Sequence, residues 1–520
     1  MADAEGDPFK MADRHGTHML TRAEAIGAAA LAALALPLAG CSGDEDRDAA
    51  DLLDVIAGRS GAADPSAGSE AKRQAQEAAS AKGGLIGGGA SGGADAVGAS
   101  GGVSASDATA LADLGIALLR EVATGQATTP GATADGMHAA SSTADRATGA
   151  GAAKAGAHAT TNALVSPVGA AVVLGMAACG AQGETLSQIQ TLAGLPLDEL
   201  NRCMRACASL LTSSATATVK VAGNLWANTD AGVTPSDAFR QALSRWYAAT
   251  PAAASFRGGL RPQVDSWASK ATGGLVASVD VDVPASDELY LASVQAFEAR
   301  WATAYGADDV TGGTFTTGDG ARQDVDFLAS TEPWYLSDPG ASSAGVGASG
   351  VAKPYAGNAY ALVALLPDEG ATVADYLAGL TGERLRDVLM RAEAAQVDTL
   401  LPRFVTTQAL DLAPHLTALG MTDAFDEAHA DLSGVSDLAG LHLGPIGHVT
   451  HVALTETGTS AVASSAGAAV ASTVADGKGA SDGEPHEVHL DRPFVMFVVE
   501  QRTLVPLVAA VINDIDEIAG

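Results

Sequence analysis

Positive charge and aromatic residues are scarce in this sequence of 520 residues. It has 29 Lys and Arg against 61 Asp and Glu, which gives a formal net charge of −32, and aromatic residues make up only 4%. Nucleic acids and anionic membranes repel so acidic a chain, so we expect neither as an electrostatic partner. The hydrophobic fraction of 47% is still enough for a sizeable buried core.

The apolar run near the N-terminus is too short to span a bilayer. Residues Ala25–Leu38 have instead the length of a signal-peptide core, and they end in Leu38-Ala39-Gly40-Cys41. This ending resembles a bacterial lipobox, which implies a lipoprotein signal peptide at 1–40 and lipidation of Cys41. The alternatives are a cleavage site with an incidental cysteine, or a short buried helix. We expect a protein outside the cell, lipid-anchored to the bacterial surface or secreted.

Cysteines are few, and beyond Cys41 only Cys179, Cys203 and Cys207 remain. An odd number argues against a disulfide framework, and Cys203 and Cys207 are spaced to share one face of a predicted helix. Outside the cell some pair of them could oxidise, but we favour the interpretation that all three are buried thiols. No fourth thiol or nearby histidine completes a zinc site, so we expect no metal and no cofactor. No Ser/His/Asp set is present that would make the protein an enzyme.

Composition divides the chain into three parts. Residues 41–105 are rich in Gly, Ala and Ser and predict a flexible tether, and an ordered domain follows at 106–520. A low-complexity insertion at about 124–160 interrupts this domain. A leucine stripe predicts a helix at 110–123. Runs typical of strands lie at 218–227, 288–301, 360–367, 397–404 and 494–500. This order favours an α+β fold with helices packed on large mixed sheets.

Several segments, in order, resemble the serpin family. They are NALVSPVGAAVVLGMAACGAQGET (162–185), VDSWASKATGGLV (264–276), VAKPYAGNAYALVALLPDE (351–369), LPRF (401–404), LTALGMTDAF (416–425), ADLSGVS (430–436) and DRPFVMFV (491–498). The resemblance implies a fold in which helices surround three β-sheets and one reactive-centre loop is exposed.

The stretch TETGTSAVASSAGAAVASTVADGKGASDG (455–483) occupies the place of that reactive loop, which we expect at about 456–486. Glu456, Gly458 and Thr459 match the family's hinge. In the family a protease attacks the loop, and the loop then enters a central sheet as a new strand. Alternate side chains of such a strand must be small, because helices pack over them. Every alternate residue from the hinge is small: Thr459, Ala461, Ala463, Ser465, Gly467 and Ala469.

The family's spacing from the hinge glutamate implies a reactive bond at Ser472-Thr473. Its small neighbours suit an elastase-like or subtilisin-like serine protease. This loop is about ten residues longer than the loop that the family resemblance implies. If the extra length lies before the bond, Lys478-Gly479 is the alternative, and a trypsin-like target follows.

Residues that control sheet opening in the family are also recognisable. Ser166 and His448 match its buried hydrogen-bonded pair, and Trp301 matches the loop's entry point. Gly169 and Ser293 depart from the family's serine and asparagine. A weaker polar network would make this sheet easier to open, and Ser293→Asn is expected to stabilise the protein.

The resemblance implies a monomeric, irreversible suicide-substrate inhibitor that forms a covalent complex with a target serine protease. The first alternative is a non-inhibitory binding protein of the same fold on the cell surface, whose loop is cut as a substrate or never inserts. A solute-binding lipoprotein would explain the lipobox and the tether but not the hinge. Covalent complex formation separates the first two readings.

Overall fold

The computed structural model describes residues 102–125, 161–212, 214, 216–340, 345–459 and 485–518. All of them belong to one unit of the chain. The predicted signal peptide with Cys41, the tether up to residue 101, most of the insertion (126–160) and loop residues 460–484 lie outside the described residues.

Helix ends follow local capping chemistry. The first helix begins after Ser104, whose hydroxyl accepts from Asp107 N at 3.1 Å while Asp107 Oδ2 accepts from Ser104 N at 2.9 Å. It ends at Gly125, where a φ of 61° favours glycine. The α-helices of the described residues are α1 (Ala105–Thr124), α2 (Pro167–Ala178), α3 (Gly183–Ala193), α4 (Leu197–Thr212), α5 (Asp237–Tyr247), α6 (Arg261–Thr272), α7 (Val373–Gly379), α8 (Gly382–Met390) and α9 (Ala413–Ala418).

The strands are concentrated in the second half of the chain. They are β1 (Ala163–Val165), β2 (Ala217–Asn228), β3 (Ala252–Ala254), β4 (Leu289–Arg300), β5 (Val310–Thr316), β6 (Arg322–Asp338), β7 (Ala348–Pro354), β8 (Tyr360–Pro367), β9 (Glu393–Pro402), β10 (Phe404–Asp411), β11 (Ile446–Leu454), β12 (Gly458–Thr459), β13 (His486–His489), β14 (Phe494–Glu500) and β15 (Pro506–Ile512). The predicted helix at 110–123 and all five predicted strands are confirmed, with shifts of a few residues at their ends.

The strands form two mixed sheets. One has the order β1-β15-β14-β8-β7-β6-β9-β13 with β5 on β6, and the other has the order β10-β11-β4-β2-β3 with β12 on β4. The family resemblance implied three sheets. Two of these are continuous here because β6 pairs with β7 through Tyr335–Asp338 and with β9 through Phe327–Tyr335. The α+β class with helices on mixed sheets is confirmed.

Helices cover both faces of the six-stranded sheet. Helix α2 contacts β2 and β4 of this sheet and β15 of the other, which explains why all its residues except Val172 are buried. On the opposite face, α6 packs on β2 and β4 through a second apolar cluster that includes Trp226, Val264 and Tyr290. A strand that enters this sheet must therefore pass between two packed layers.

The sheet divides at its centre. Strands β4 and β11 are parallel neighbours only from Ile446 opposite Leu291 to His451 opposite Ala296. Beyond that point the chain turns back after β11, and β12 pairs antiparallel with the end of β4. The candidate functional site lies along this division.

No helix among the described residues has the length and apolar character needed to cross a bilayer.

Candidate functional site

The hinge residues already form part of the sheet. Gly458 lies opposite Arg300 and Thr459 opposite Ala299, so β12 is a two-residue strand on β4. Thr459 is completely buried. Gly458 has a φ of 147°, and a Cβ there would lie 2.1 Å from the carbonyl oxygen of Ala299. Only glycine fits this position, both for its backbone conformation and for space.

Two aromatic residues hold the turn that leads into β12. The indole Nε1 of Trp301 donates to Thr455 O at 2.8 Å, and its backbone N donates to Thr457 O at 3.1 Å. The backbone N of Tyr305 donates to Glu456 O at 2.9 Å. Three consecutive carbonyls of the hinge are therefore fixed by one short segment that follows β4.

The buried end of the hinge rests on Tyr355. Its hydroxyl lies 2.8 Å from Thr459 Oγ1, and its ring stacks on Trp301 with centroids 4.4 Å apart. Burial raises the pKa of Tyr355 well above its usual value, so the hydroxyl keeps its proton and can donate. Trp301, Tyr305, Tyr355, Glu456 and Thr459 together are called the hinge cluster below.

At its rim the hinge cluster reaches solvent. Arg403 Nη1 lies 2.7 Å from Glu456 Oε1, and Arg403 Nη2 lies 3.1 Å from Asp326. The side chains of Arg403 and Glu456 keep 44% and 33% of their surface exposed. Partial burial raises the pKa of Glu456, but its own backbone N–H and Arg403 outweigh this, and the net effect is a lowered pKa.

A second set of polar side chains closes the sheet lower down. His448 Nε2 accepts from the backbone N of Ser166 at 2.9 Å, and its Nδ1 lies 2.7 Å from Ser293 Oγ. All three residues are completely buried. Burial lowers the pKa of His448 to about 4, so the ring is neutral at neutral pH. Because Nε2 accepts a hydrogen bond, Nδ1 carries the ring proton and donates a hydrogen bond to Ser293 Oγ.

Gln295 completes this set. Its Oε1 accepts from Ser166 Oγ, and its Nε2 donates to Leu507 O on β15 at 2.7 Å. Gln295 is completely buried and links β4 to the start of α2 and to β15 of the nine-stranded sheet. Sequence reasoning missed it, although a Gln two residues after Ser293 in an apolar strand faces the same side. Ser166, Ser293, Gln295 and His448 are called the mid-sheet cluster below.

Gly169, where the family pattern has a serine, lies close to two side chains of the mid-sheet cluster. A Cβ at this position would lie 2.9 Å from Ser166 Oγ and 3.1 Å from His448 Cε1, which is tighter than ordinary van der Waals contact. The backbone N of Gly169 donates to Ser166 Oγ at 2.8 Å, which caps α2. A side chain at position 169 would therefore crowd the mid-sheet cluster in this conformation.

The structure brings some predicted site residues together and leaves others outside its description. Glu456, Gly458 and Thr459 meet at the hinge together with Trp301, one of the predicted sheet-opening residues, and the other three, Ser166, Ser293 and His448, meet in the mid-sheet cluster. The predicted loop positions outside the described residues are Ala461, Ala463, Ser472, Thr473, Lys478 and Gly479. Sequence reasoning also missed Tyr355, although it lies inside one of the quoted family segments.

The thiols lie away from both clusters. Cys203 and Cys207 are buried and Cys179 is half-buried, and none of the three is in a disulfide. Burial raises the pKa of the Cys179 thiol to about 11, so it is a weak nucleophile. Within the part of the chain that the structure describes, no three His, Cys, Asp or Glu side chains are grouped to hold a metal ion.

The comparisons with known proteins agree with this geometry. The family model described as "Serpin (serine protease inhibitor)" matches residues 151–515. Among curated proteins, "Serpin B8" of Bos taurus is 27% identical over 353 residues, which cover 66% of this chain and 90% of that protein. The "Plasma serine protease inhibitor" of Homo sapiens is 28% identical over 347 residues, which cover 65% and 82%.

Among solved structures, the native state of tengpin, a thermophilic serpin, superimposes with a TM-score of 0.62 at 27% identity. That comparison covers 78% of this chain and 94% of tengpin. A family match over most of the described domain, together with the hinge and the mid-sheet cluster, gives one conclusion. The chain belongs to the serpin family, whose members are usually serine protease inhibitors.

Proposed function

We propose that this protein is an irreversible suicide-substrate inhibitor of serine proteases. The observation that carries the proposal is β12, because the hinge pair Gly458–Thr459 already stands as an antiparallel strand on β4. The rest of the loop can extend this strand without forming a new starting contact. An unpaired loop would first have to meet the entropic cost of closure.

Extension of β12 has a defined path. Residues after Thr459 would continue antiparallel along β4, from Glu298 toward Ala296, where β4 is at present paired with His451 of β11. The two strands would separate as the loop enters, and each would gain a new hydrogen-bonded neighbour. Small residues at alternate positions of the loop allow it to pass between α2 and α6 without steric overlap.

The proposed chemistry is supplied by the target protease. Its serine oxygen attacks the carbonyl carbon of Ser472, the bond to the nitrogen of Thr473 breaks, and that amine leaves with a proton. The resulting acyl-enzyme is then either hydrolysed by water or trapped by loop insertion. The bond and its small neighbours favour an elastase-like or subtilisin-like target, with Lys478-Gly479 and a trypsin-like target as the alternative.

The test is incubation of the full chain with elastase-like, subtilisin-like and trypsin-like serine proteases. Denaturing gels and intact-mass measurement detect a covalent complex, and the released C-terminal peptide begins at Thr473 or at Gly479. We expect a complex that survives denaturant and a cleaved form with a higher melting temperature. Cleavage with neither complex nor gain in stability would contradict the proposal and leave a non-inhibitory binding protein of the same fold.

We also propose that a lipid on Cys41 anchors the protein outside a bacterial cell, on the strength of its lipobox-like sequence. Expression in bacteria with a radiolabelled fatty acid tests this. Label is expected on the wild type and not on Cys41→Ser, and equal labelling of both would contradict it.

A further inference from the structure

A buried ion pair lies beneath the hinge cluster. Lys353 on β7 contacts Glu332 on β6, with 2.5 Å between Nζ and Oε1, and their side chains are only 4% and 7% exposed. Burying two charges is expensive, and an apolar pair of similar volume is often as stable or more stable. Stability alone therefore does not account for charges at this place.

The carboxylate of the pair is itself fixed. Ser330 Oγ donates to Glu332 Oε1 at 2.6 Å, and the same hydroxyl lies 3.0 Å from Thr399 Oγ1 on β9. Glu332 thus has a set position on β6, and it sets the position of the Lys353 ammonium by charge and hydrogen bonding.

The ammonium faces two aromatic rings. Lys353 Nζ lies 4.3 Å from the centre of the Tyr305 ring and 5.2 Å from that of Trp301. Both distances are within the range of cation–π attraction, which is strongest when the cation is removed from water, as here. These are the same two residues whose N–H groups hold Thr455, Glu456 and Thr457.

We propose that Lys353, fixed by Glu332, is a positioning residue for the hinge. It holds the Tyr305 and Trp301 rings, and these hold the turn that presents Gly458–Thr459 to β4. Within the described residues, Lys353 Nζ faces these two rings and the Glu332 carboxylate. It acts through the two aromatic residues.

The consequence for inhibition rests on the proposed function. Insertion competes with hydrolysis of the acyl-enzyme, so a hinge that is already seated on β4 favours the trap. Without the ammonium the turn is held less firmly, insertion starts later, and more inhibitor is consumed as substrate. The number of inhibitor molecules cleaved for each protease trapped should therefore rise.

The experiment compares two matched double variants of the full chain. Lys353→Met with Glu332→Gln removes the pair beneath the hinge and keeps volume and an acceptor for Ser330. Arg384→Met with Asp338→Asn removes a second buried pair, which is 13% and 3% exposed and has Arg384 5.4 Å from the Tyr376 ring. The second pair has similar chemistry and touches no residue of the hinge cluster.

The first readout is hydrogen exchange of the free protein. Mass spectrometry measures it in peptides that contain the Trp301 and Tyr305 amides. We expect exchange there to be about tenfold faster in the Lys353→Met/Glu332→Gln variant, as two cation–π contacts imply. The Arg384→Met/Asp338→Asn control should match the wild type at these amides. Unchanged exchange in the first variant, or an equal rise in both, would overturn the proposal.

Two further variants keep the test independent of folding problems. Tyr305→Leu removes the nearer ring and leaves the ion pair, and it should speed exchange of the Trp301 amide similarly. Lys353→Arg keeps the cation and should stay close to the wild type. No change in Tyr305→Leu would also overturn the proposal.

Inhibition is the second readout. The number of inhibitor molecules cleaved per protease trapped should rise about tenfold in the Lys353→Met/Glu332→Gln variant and stay unchanged in the control. If the wild type traps no protease, the proposed function fails, but the exchange comparison still decides the role of Lys353. The two failures are therefore distinguishable.

Discussion

The hinge cluster and the mid-sheet cluster lie on the same division between β4 and β11 but are built differently. The hinge cluster is aromatic and charged, holds the loop mainly through its backbone carbonyls, and opens to solvent at Glu456. The mid-sheet cluster is neutral, completely buried and made of side-chain hydrogen bonds between α2, β4, β11 and β15. One region receives a strand, and the other must come apart before that strand can continue.

The different construction has a physical reason. Backbone carbonyls are present in any loop, so the hinge can be held there without restricting the loop's side chains. Closure of the sheet needs bonds that are stable while intact and that break together, which a cooperative buried polar network supplies. Substitutions in the two regions should therefore have different effects. Hinge substitutions should change the fraction of cleaved inhibitor that traps the protease, and mid-sheet substitutions should change the free energy of unfolding.

The largest effect is expected from Thr459→Arg. Thr459 is completely buried against Tyr355, and burying an unpaired charge there costs on the order of several kcal/mol. The hinge should leave the sheet, so the variant is cut as a substrate and forms almost no covalent complex. Densitometry of denaturing gels measures this, with a loss of roughly a hundredfold or more expected.

The matched control for this change is Thr457→Arg. Thr457 is two residues away in the same turn, and its side chain is exposed. An arginine there stays in water and should leave complex formation near the wild-type level. Equal loss in both variants would show that charge in the loop matters rather than burial at Thr459.

The next largest effect concerns pH and the mid-sheet cluster. Burial lowers the pKa of His448 from 6.5 to about 4, so between these values the unfolded chain binds a proton that the folded protein does not. The free energy of unfolding is therefore unaffected by the titration of His448 above pH 6.5. It decreases as pH falls from 6.5 toward 4, by up to about 3 kcal/mol. Urea midpoints at pH 7.5 and 4.5 measure this loss.

His448→Gln should reduce the difference between the two pH values, because Gln can accept from Ser166 N and does not titrate in this range. His451→Gln is the matched control on the same strand. Its histidine pairs with Thr407 on β10 instead and is less completely buried, although burial lowers its pKa too. A wild-type pH response that survives His448→Gln unchanged would contradict the assignment.

A third prediction tests Gln295 directly. Gln295→Ile removes the side-chain donor to Leu507 O and the acceptor for the Ser166 hydroxyl proton, both in a completely buried place, which should cost about 1–3 kcal/mol. Ser293→Asn, which restores the family's amide, should raise the urea midpoint, and by a different amount in the Gln295→Ile background because the two residues belong to one hydrogen-bond network through Ser166 and His448. Equal midpoints of Gln295→Ile and wild type would show that Gln295 does not hold β4.

The sequence predicted the fold better than it predicted the contacts. Long strand-like runs such as 288–301 and the family segments sufficed for the α+β architecture, and Ser166, Ser293 and His448 were recognised by their family positions. Gln295 was missed because it lies outside the quoted family segments, and only packing shows that it links α2 and β15. Lys353 and Glu332 were missed because they lie on different strands, and no local pattern pairs them.

The smallest effect is expected at the rim of the hinge cluster. Glu456→Gln removes the pair with Arg403 while leaving the Glu456 carbonyl bonded to Tyr305 N. Because both side chains are partly exposed, the pair should contribute only about 0.2–1 kcal/mol. Its contribution is present above the usual carboxyl pKa and is lost as pH falls through the lowered pKa of Glu456.

Salt separates this rim from the buried part of the same cluster. At an ionic strength of about 1 M the Debye length is roughly 3 Å, so an exposed pair is largely screened. Glu456→Gln should therefore slightly lower the yield of covalent complex at low salt and match the wild type at high salt. The effect of Thr459→Arg should persist at both, because it arises from desolvation and not from attraction across water. A large, salt-independent loss in Glu456→Gln would mean that the carboxylate itself seats the hinge, and the division between an exposed rim and a buried support would then be wrong.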